Sequence, residues 1–188
     1  MNCNNLSVIL AVSAVAVALL LVSCSGNATN NSETSLAVKN LQKFKFATIE
    51  HPNTSAPLFT LTDDKNKTFT NNELKGKVYI IQGFAPGCSS CAREIAALNK
   101  VYSKYKDKGL EIISLDVASE SINGAIETKV QFNGGDWRWA LDSDNVAAKF
   151  EMRTLESTYI IDKDGIIRYM DETISDSGIL SEEIDKLI

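Results

Sequence analysis

The order of apolar and polar positions predicts a strand, a helix and a second strand in the middle of the chain. Residues 77–84 form an apolar run of strand length. From residue 92 to 108, apolar residues recur every three or four positions, as in a helix buried on one side, and Gly109 follows as a C-terminal cap. Residues 110–117 form a second apolar run. A crossover of this length predicts parallel strands joined by a right-handed connection.

The chain on either side of this unit predicts further strands and short helices. The polar residues 63–66 favour one hairpin, and Lys163-Asp164-Gly165 favours another, because Asp-Gly is a tight-turn signal. The predicted strands are residues 59–62, 68–69, 137–141, 157–162 and 166–170, and the predicted helices are residues 72–75, 122–132, 145–150 and 181–188. This alternation predicts an α/β domain with a central sheet and helices on both faces.

The start of the chain resembles a secretory signal with a lipoprotein box. Residues 6–22 are an apolar run without a charge, and the run ends in Leu21-Val22-Ser23-Cys24. The resemblance implies cleavage before Cys24 and a lipid on its sulfur. Residues 1–5 depart from the pattern, since they contain no Lys or Arg. An uncleaved single-span anchor is the alternative. Either arrangement implies a membrane-anchored, extracytoplasmic domain on the periplasmic or cell-surface side.

Composition divides the chain into three parts. Residues 25–35 are rich in Asn, Ser and Thr and cannot bury enough apolar surface to fold. We therefore predict a signal peptide (residues 1–23), a lipidated cysteine with a flexible tether (residues 24–50) and one folded domain (residues 51–188). A formal net charge of −5 without a basic cluster argues against nucleic acid as a partner.

Two cysteines at the predicted helix start are the main candidates for chemistry. They lie three positions apart in Pro86-Gly87-Cys88-Ser89-Ser90-Cys91. At a helix start, free backbone N–H groups and the positive end of the helix dipole stabilise a thiolate. We therefore expect Cys88 to be the nucleophile and Cys91 to be the resolving thiol.

A structural zinc site and an inert disulfide are the alternative interpretations of this pair. Zinc requires four ligands, and the predicted mature chain adds only one histidine, His51. A disulfide that closes so short a loop constrains the unfolded chain little. Cys3 would leave with the signal peptide and Cys24 would carry lipid, which leaves Cys88 and Cys91 as the free pair. In an extracytoplasmic protein, this usage indicates redox chemistry.

Several strings of the chain resemble the TlpA/ResA type of membrane-anchored thiol-disulfide oxidoreductases, which have the thioredoxin fold. They are Ala56-Pro57-Leu58-Phe59-Thr60-Leu61, Leu74-Lys75-Gly76-Lys77-Val78, Cys91-Ala92-Arg93-Glu94 and Tyr159-Ile160-Ile161-Asp162-Lys163-Asp164-Gly165. The resemblance covers residues 56–188. It implies a thioredoxin-like α/β fold, with a central mixed β-sheet flanked by helices and an N-terminal β-hairpin extension.

The same resemblance implies an activity and its partners. Cys88 would attack a disulfide of a substrate protein, and Cys91 would resolve the mixed disulfide. The partners would be protein thiols and disulfides, with a membrane electron donor of the DsbD/CcdA kind. No cofactor or metal is implied beyond the redox-active disulfide itself.

The resemblance also assigns site residues. Glu94 would adjust the protonation of the thiols, and we expect it to be partly reachable from the active site. The alternative is a carboxylate that the helix dipole alone favours there. The substrate-binding surface would include Pro86, Gly87 and Leu155.

Four features depart from the family pattern. Gly87 stands where the family usually has Trp, Ser89-Ser90 contains no proline, and Gln82 replaces the buried aspartate of thioredoxin itself. Glu156 stands where thioredoxin-like proteins carry a cis-proline.

A glutamate at the cis-proline position changes the expected shape and charge of the site. A cis bond before a non-proline residue costs about 3 to 4 kcal/mol, so we expect the Leu155–Glu156 bond to be trans. If Glu156 faces the cysteines, its charge disfavours the thiolate and raises the pKa of Cys88. A solvated surface glutamate is the alternative.

Two further functions compete with disulfide exchange. Phe84-Ala85-Pro86-Gly87-Cys88 resembles a peroxiredoxin-like thiol peroxidase site, but peroxiredoxins have Thr or Ser at the position of Phe84. Loss of the proline suggests a Sco-like copper-binding chaperone, but such proteins separate their cysteines by three residues and add a downstream histidine. This chain has no histidine after His51.

Overall fold

The structure is a computed structural model that describes residues 49–188. The predicted signal peptide, the lipid attachment site Cys24 and the predicted tether as far as residue 48 lie outside the described residues. Within residues 49–188, no helix has both the length and the apolar character needed to cross a membrane.

The described part of the chain contains eight strands, four α-helices and two short 3-10 helices. The strands are β1 (Thr54–Ser55), β2 (Thr60–Thr62), β3 (Thr68–Thr70), β4 (Tyr79–Phe84), β5 (Glu111–Asp116), β6 (Arg138–Leu141), β7 (Thr158–Ile161) and β8 (Ile166–Asp171). The α-helices are α1 (Ser89–Tyr105), α2 (Ile122–Gln131), α3 (Val146–Lys149) and α4 (Ser177–Asp185). The 3-10 helices are Asn71–Leu74 and Lys106–Lys108.

Six strands form one mixed sheet in the order β1-β8-β7-β4-β5-β6. Strands β4, β5 and β6 run parallel, whereas β7 pairs with β4 and β8 pairs with β7 in antiparallel fashion. Strands β2 and β3 form a separate antiparallel pair, where the sequence predicts a hairpin. The central β4-α1-β5 unit has the predicted order and parallel pairing. This is the predicted thioredoxin-like arrangement.

Side chains alternate along the strands and build a core on each face of the sheet. In β4, Ile80 and Phe84 pack with buried residues of α1, α2 and α4, whereas Tyr79 and Ile81 pack with residues of the β2-β3 pair and of α3. This alternation follows from the two-residue repeat of a strand. Buried side chains therefore cover both faces of the sheet. This packing holds the parallel strands, and the loops that follow them, in place.

The last helix begins earlier than the sequence predicts. The prediction placed it at residues 181–188, but α4 starts at Ser177. The side chain of Asp176 accepts a hydrogen bond from the Gly178 N–H at 2.7 Å and so caps the helix. The acidic residues one turn later favour a start there in the sequence, but the Asp176 cap sets the start of the helix in the structure.

Candidate active site

The cysteine pair lies where strand β4 gives way to helix α1. Gly87 turns the chain with φ of +77°, a left-handed conformation that glycine adopts without a steric penalty. Cys88 is the N-cap of α1, as predicted, and its sulfur is bonded to that of Cys91 at 2.01 Å. Cys91 is completely buried and Cys88 is half-buried. The Cys88 sulfur is therefore the one that a partner can approach.

Two donors point at the Cys88 sulfur. The backbone N–H of Cys91 lies 3.1 Å from Cys88 Sγ, and the hydroxyl oxygen of Ser90 lies 3.3 Å from it. Both stabilise negative charge on this sulfur once the disulfide is reduced, and they add to the dipole of a 17-residue helix. The Cys-x-x-Cys spacing alone does not reveal the Ser90 hydroxyl as a donor, because its position depends on the turn that starts the helix.

The loop between α3 and β7 faces the inner cysteine. The carbonyl oxygen of Leu155 lies 3.9 Å from Cys91 Sγ. No peptide bond in residues 49–188 is cis, so the Leu155–Glu156 bond is trans as expected. The Ser157 hydroxyl donates to the Thr154 carbonyl at 2.9 Å, and Thr154 Oγ1 donates to the Glu172 carbonyl at 2.8 Å. Hydrogen bonds therefore hold this loop where the family pattern has a proline.

The predicted substrate-binding residues and Glu156 surround the pair. Pro86 and Gly87 are exposed beside Cys88, and Leu155 is half-buried beside Cys91. Glu156 is also half-buried, and it makes no hydrogen bond or ion pair with another described residue. The roles predicted for these residues stay predictions.

Glu94 is completely buried, so the expectation that it is partly reachable was wrong. Thr158 Oγ1 donates to Glu94 Oε1 at 2.8 Å, and the Ser175 N–H donates to Glu94 Oε2 at 2.7 Å. Burial raises the pKa of Glu94 to about 7, although both hydrogen bonds favour the charged form and oppose this rise. A group one helical turn after Cys91 thus changes its charge near neutral pH. The helix dipole alone therefore does not account for the surroundings of the Glu94 carboxyl group.

Gln82 belongs to a buried polar chain rather than to the proton chemistry. The Ser114 hydroxyl donates to Gln82 Oε1 at 3.2 Å, and the Trp137 indole donates to Ser114 Oγ at 3.0 Å. Trp137 stacks on Trp139 with ring centroids 5.7 Å apart, and both are buried. Both tryptophans therefore belong to the core of the domain.

His51 contacts the last helix of the domain. Its Nε2 is 3.3 Å from Glu183 Oε2 on helix α4. Over residues 49–188, the structure places no group of three or more His, Cys, Asp and Glu side chains where they could hold a metal ion.

Comparison with known proteins gives consistent similarities. The model of the AhpC/TSA family matches residues 52–170. The thiol-disulfide oxidoreductase ResA of Bacillus anthracis is 33% identical over 111 residues, which are 58% of this chain and 63% of ResA. ResA of Bacillus subtilis is 26% identical over 126 residues, which are 66% of this chain and 69% of that protein. The chain thus spans somewhat less than two thirds of the Bacillus anthracis relative.

Solved structures support the fold. The thioredoxin domain of a thiol-disulfide oxidoreductase from Bacteroides vulgatus superposes with a TM-score of 0.62 at 24% identity, over 71% of this chain and 95% of that one. A thiol:disulfide interchange protein of the thioredoxin family from Chlorobium tepidum gives 0.63 at 18% identity, over 73% and 97%. At these identities the likeness establishes a thioredoxin-like fold.

Proposed function

Since this chain belongs to the AhpC/TSA family, we propose that it is a thiol-disulfide oxidoreductase that exchanges its Cys88–Cys91 pair with thiols and disulfides of proteins. The observation that carries the proposal is the half-buried Cys88 sulfur at the N-terminus of α1, disulfide-bonded to Cys91 and approached by two donors. The similarity to ResA supports the same activity.

In the reducing direction, the reaction begins with the Cys88 thiolate. It attacks one sulfur of a substrate disulfide, a Cys88–substrate bond forms, and the first substrate thiolate leaves. Cys91 then loses its proton and attacks Cys88 Sγ, which releases the second substrate thiolate and forms the Cys88–Cys91 disulfide. The substrate gains two electrons and two protons, and the pair loses them.

Glu94 and the loop around Leu155 would assist these steps. Because the pKa of Glu94 is about 7, its carboxyl is available in both forms at neutral pH. Its charge would then influence how readily the thiols ionise. The Leu155 carbonyl beside Cys91 Sγ can accept the Cys91 S–H in the reduced state. Pro86 and Gly87, exposed beside Cys88, would meet the substrate chain, and Glu156 would tune the Cys88 thiol.

Trapping the mixed disulfide tests the function. In a full chain carrying Cys3→Ser and Cys24→Ser, the further change Cys91→Ser should accumulate a covalent complex with a disulfide-bonded substrate protein, because nothing resolves the bond to Cys88. The matched variant Cys88→Ser should accumulate none. Equal trapping by both variants, or by neither, would refute the assigned roles.

We also propose that the domain is tethered to a membrane outside the cytoplasm through a lipid on Cys24 and receives electrons from a membrane protein of the DsbD/CcdA kind. The apolar run of residues 6–22 before Cys24 supports the tether. Cys24→Ala should abolish incorporation of a labelled fatty acid. Persistent labelling would contradict this site, and membrane retention without labelling would favour the uncleaved anchor.

The side chain at position 84 argues against the alternative function of a thiol peroxidase, because this residue is Phe84. This side chain is completely buried and packs edge-on against Trp139, with ring centroids 5.3 Å apart. It offers no hydroxyl at the position where peroxiredoxins have Thr or Ser. We expect hydrogen peroxide to oxidise reduced Cys88 no faster than a model thiol.

A further inference from the structure

A second buried carboxylate lies at the end of strand β8. Asp171 is 3% exposed. Its Oδ1 accepts hydrogen bonds from the N–H and the hydroxyl of Thr173, at 2.9 and 2.8 Å. Its Oδ2 accepts the Tyr169 hydroxyl at 3.0 Å and the Ser175 hydroxyl at 3.2 Å. Four donors therefore converge on one carboxylate and tie the segment between β8 and α4 around it.

Ser175 connects this carboxylate to Glu94. Its hydroxyl donates to Asp171, while its backbone N–H donates to Glu94 Oε2 at 2.7 Å. Ser175 is itself 2% exposed. The N–H that meets Glu94 is thus held in place by a side chain that Asp171 fixes.

Asp171 also acts on Glu94 through its charge. Burial is the main cause of the raised pKa of Glu94, and the like charge of Asp171 raises it further. Water screens two buried carboxylates poorly, so this repulsion remains effective.

Other polar and ionisable groups lie on the elements around Glu94. They are Cys91 and Arg93 on α1, Thr158 on β7, Tyr169 on β8, and Glu172 and Asp176 on the segment before α4. None of these groups contributes through its charge to the raised pKa of Glu94, whereas Asp171 does.

We propose that Asp171 is a positioning residue for Glu94: it fixes the turn that presents the Ser175 N–H to Glu94 Oε2, and it brings a second buried carboxylate to the same serine. The inference rests on the proposed function, since Glu94 matters there through its effect on the thiols. The two actions of Asp171 shift the pKa of Glu94 in opposite directions, so substitutions at Asp171 and at Ser175 can separate them. The hydrogen bond favours the charged form of Glu94, whereas the neighbouring charge disfavours it.

The test is a pH titration of the Glu94 carboxyl carbon by NMR, in the oxidised full chain. Asp171→Asn keeps the shape of the side chain and removes its charge, so we expect the pKa of Glu94 to fall, by less than burial raises it. Ser175→Ala keeps the backbone N–H but removes the hydroxyl, which ties Ser175 to Asp171 and also lowers the pKa of Glu94 directly, so we expect the pKa of Glu94 to rise. Asp176→Asn is the matched control, because it removes an exposed charge one residue after Ser175 and should leave the titration unchanged.

A titration of Glu94 that stays at its wild-type midpoint in both Asp171→Asn and Ser175→Ala would overturn the proposal. If Asp171→Asn does not fold, Ser175→Ala decides alone, and an unchanged midpoint rejects the positioning role. The oxidised protein needs no substrate for this measurement. A chain that fails the mixed-disulfide trap but shows the expected shifts would lose its proposed function and keep this inference.

Discussion

Replacing Glu94 by Gln should remove a pH dependence from the stability of the domain. In the folded protein burial raises the pKa of Glu94 from 4.5 to about 7. Below pH 4.5 the carboxyl is protonated in both the folded and the unfolded state. As the pH rises towards 7 the unfolded chain releases this proton and the folded chain retains it, so the free energy of unfolding decreases. At about 1.4 kcal/mol per pH unit, the wild type loses about 3 kcal/mol across this interval.

The measurement is urea unfolding of the oxidised protein at several pH values between 5 and 8. The difference in unfolding free energy between wild type and Glu94→Gln should change with pH by about 2 to 3 kcal/mol, in favour of the variant at high pH. Glu127→Gln is the control, because it makes the same chemical change at an exposed position of α2. The difference in unfolding free energy between wild type and Glu127→Gln should not vary with pH. A constant difference for Glu94→Gln would show that Glu94 titrates alike in both states and would refute the reasoning.

Further substitutions test the core and the thiol environment. Trp139→Ala removes a completely buried stacked indole and should lower the free energy of unfolding by about 4 kcal/mol in urea titrations; a loss below about 1 kcal/mol would contradict the packing. Ser90→Ala removes the hydroxyl donor to Cys88 and should slow alkylation of reduced Cys88 at pH 7 about five-fold, equivalent to about 1 kcal/mol, whereas Ser89→Ala should not. If Glu156 faces the thiols, Glu156→Gln should speed that alkylation, and an unchanged rate would favour a solvated side chain.

The central unit of the fold could be predicted because its signals are local. The apolar run that becomes β4, the helical spacing of α1 and the glycine that ends the 3-10 helix after α1 each depend on neighbouring residues. Gly109 adopts φ of +89°, as a C-terminal cap requires. Strand β1 was missed because only Thr54 and Ser55 belong to it, and their pairing with β8 involves residues more than a hundred positions away. A two-residue strand has no periodicity to detect.

The sequence by itself determined where the chemistry begins. A Cys-x-x-Cys placed directly after a strand and at the start of a helix puts Cys88 at the N-cap, since capping depends on a few consecutive residues. It also placed Glu94 one turn beyond Cys91, because helical spacing is fixed by the backbone.

Only the tertiary structure decided the burial, the hydrogen bonds and the pKa of Glu94. Its partners Thr158 and Ser175 come from β7 and from the segment before α4, 64 and 81 positions further along the chain. The carboxylate of Asp171 is connected to Glu94 through Ser175, whose hydroxyl donates to Asp171. The proton affinity of a carboxyl depends on its burial and on the charges and donors around it, and here folding brings all of these from distant parts of the chain.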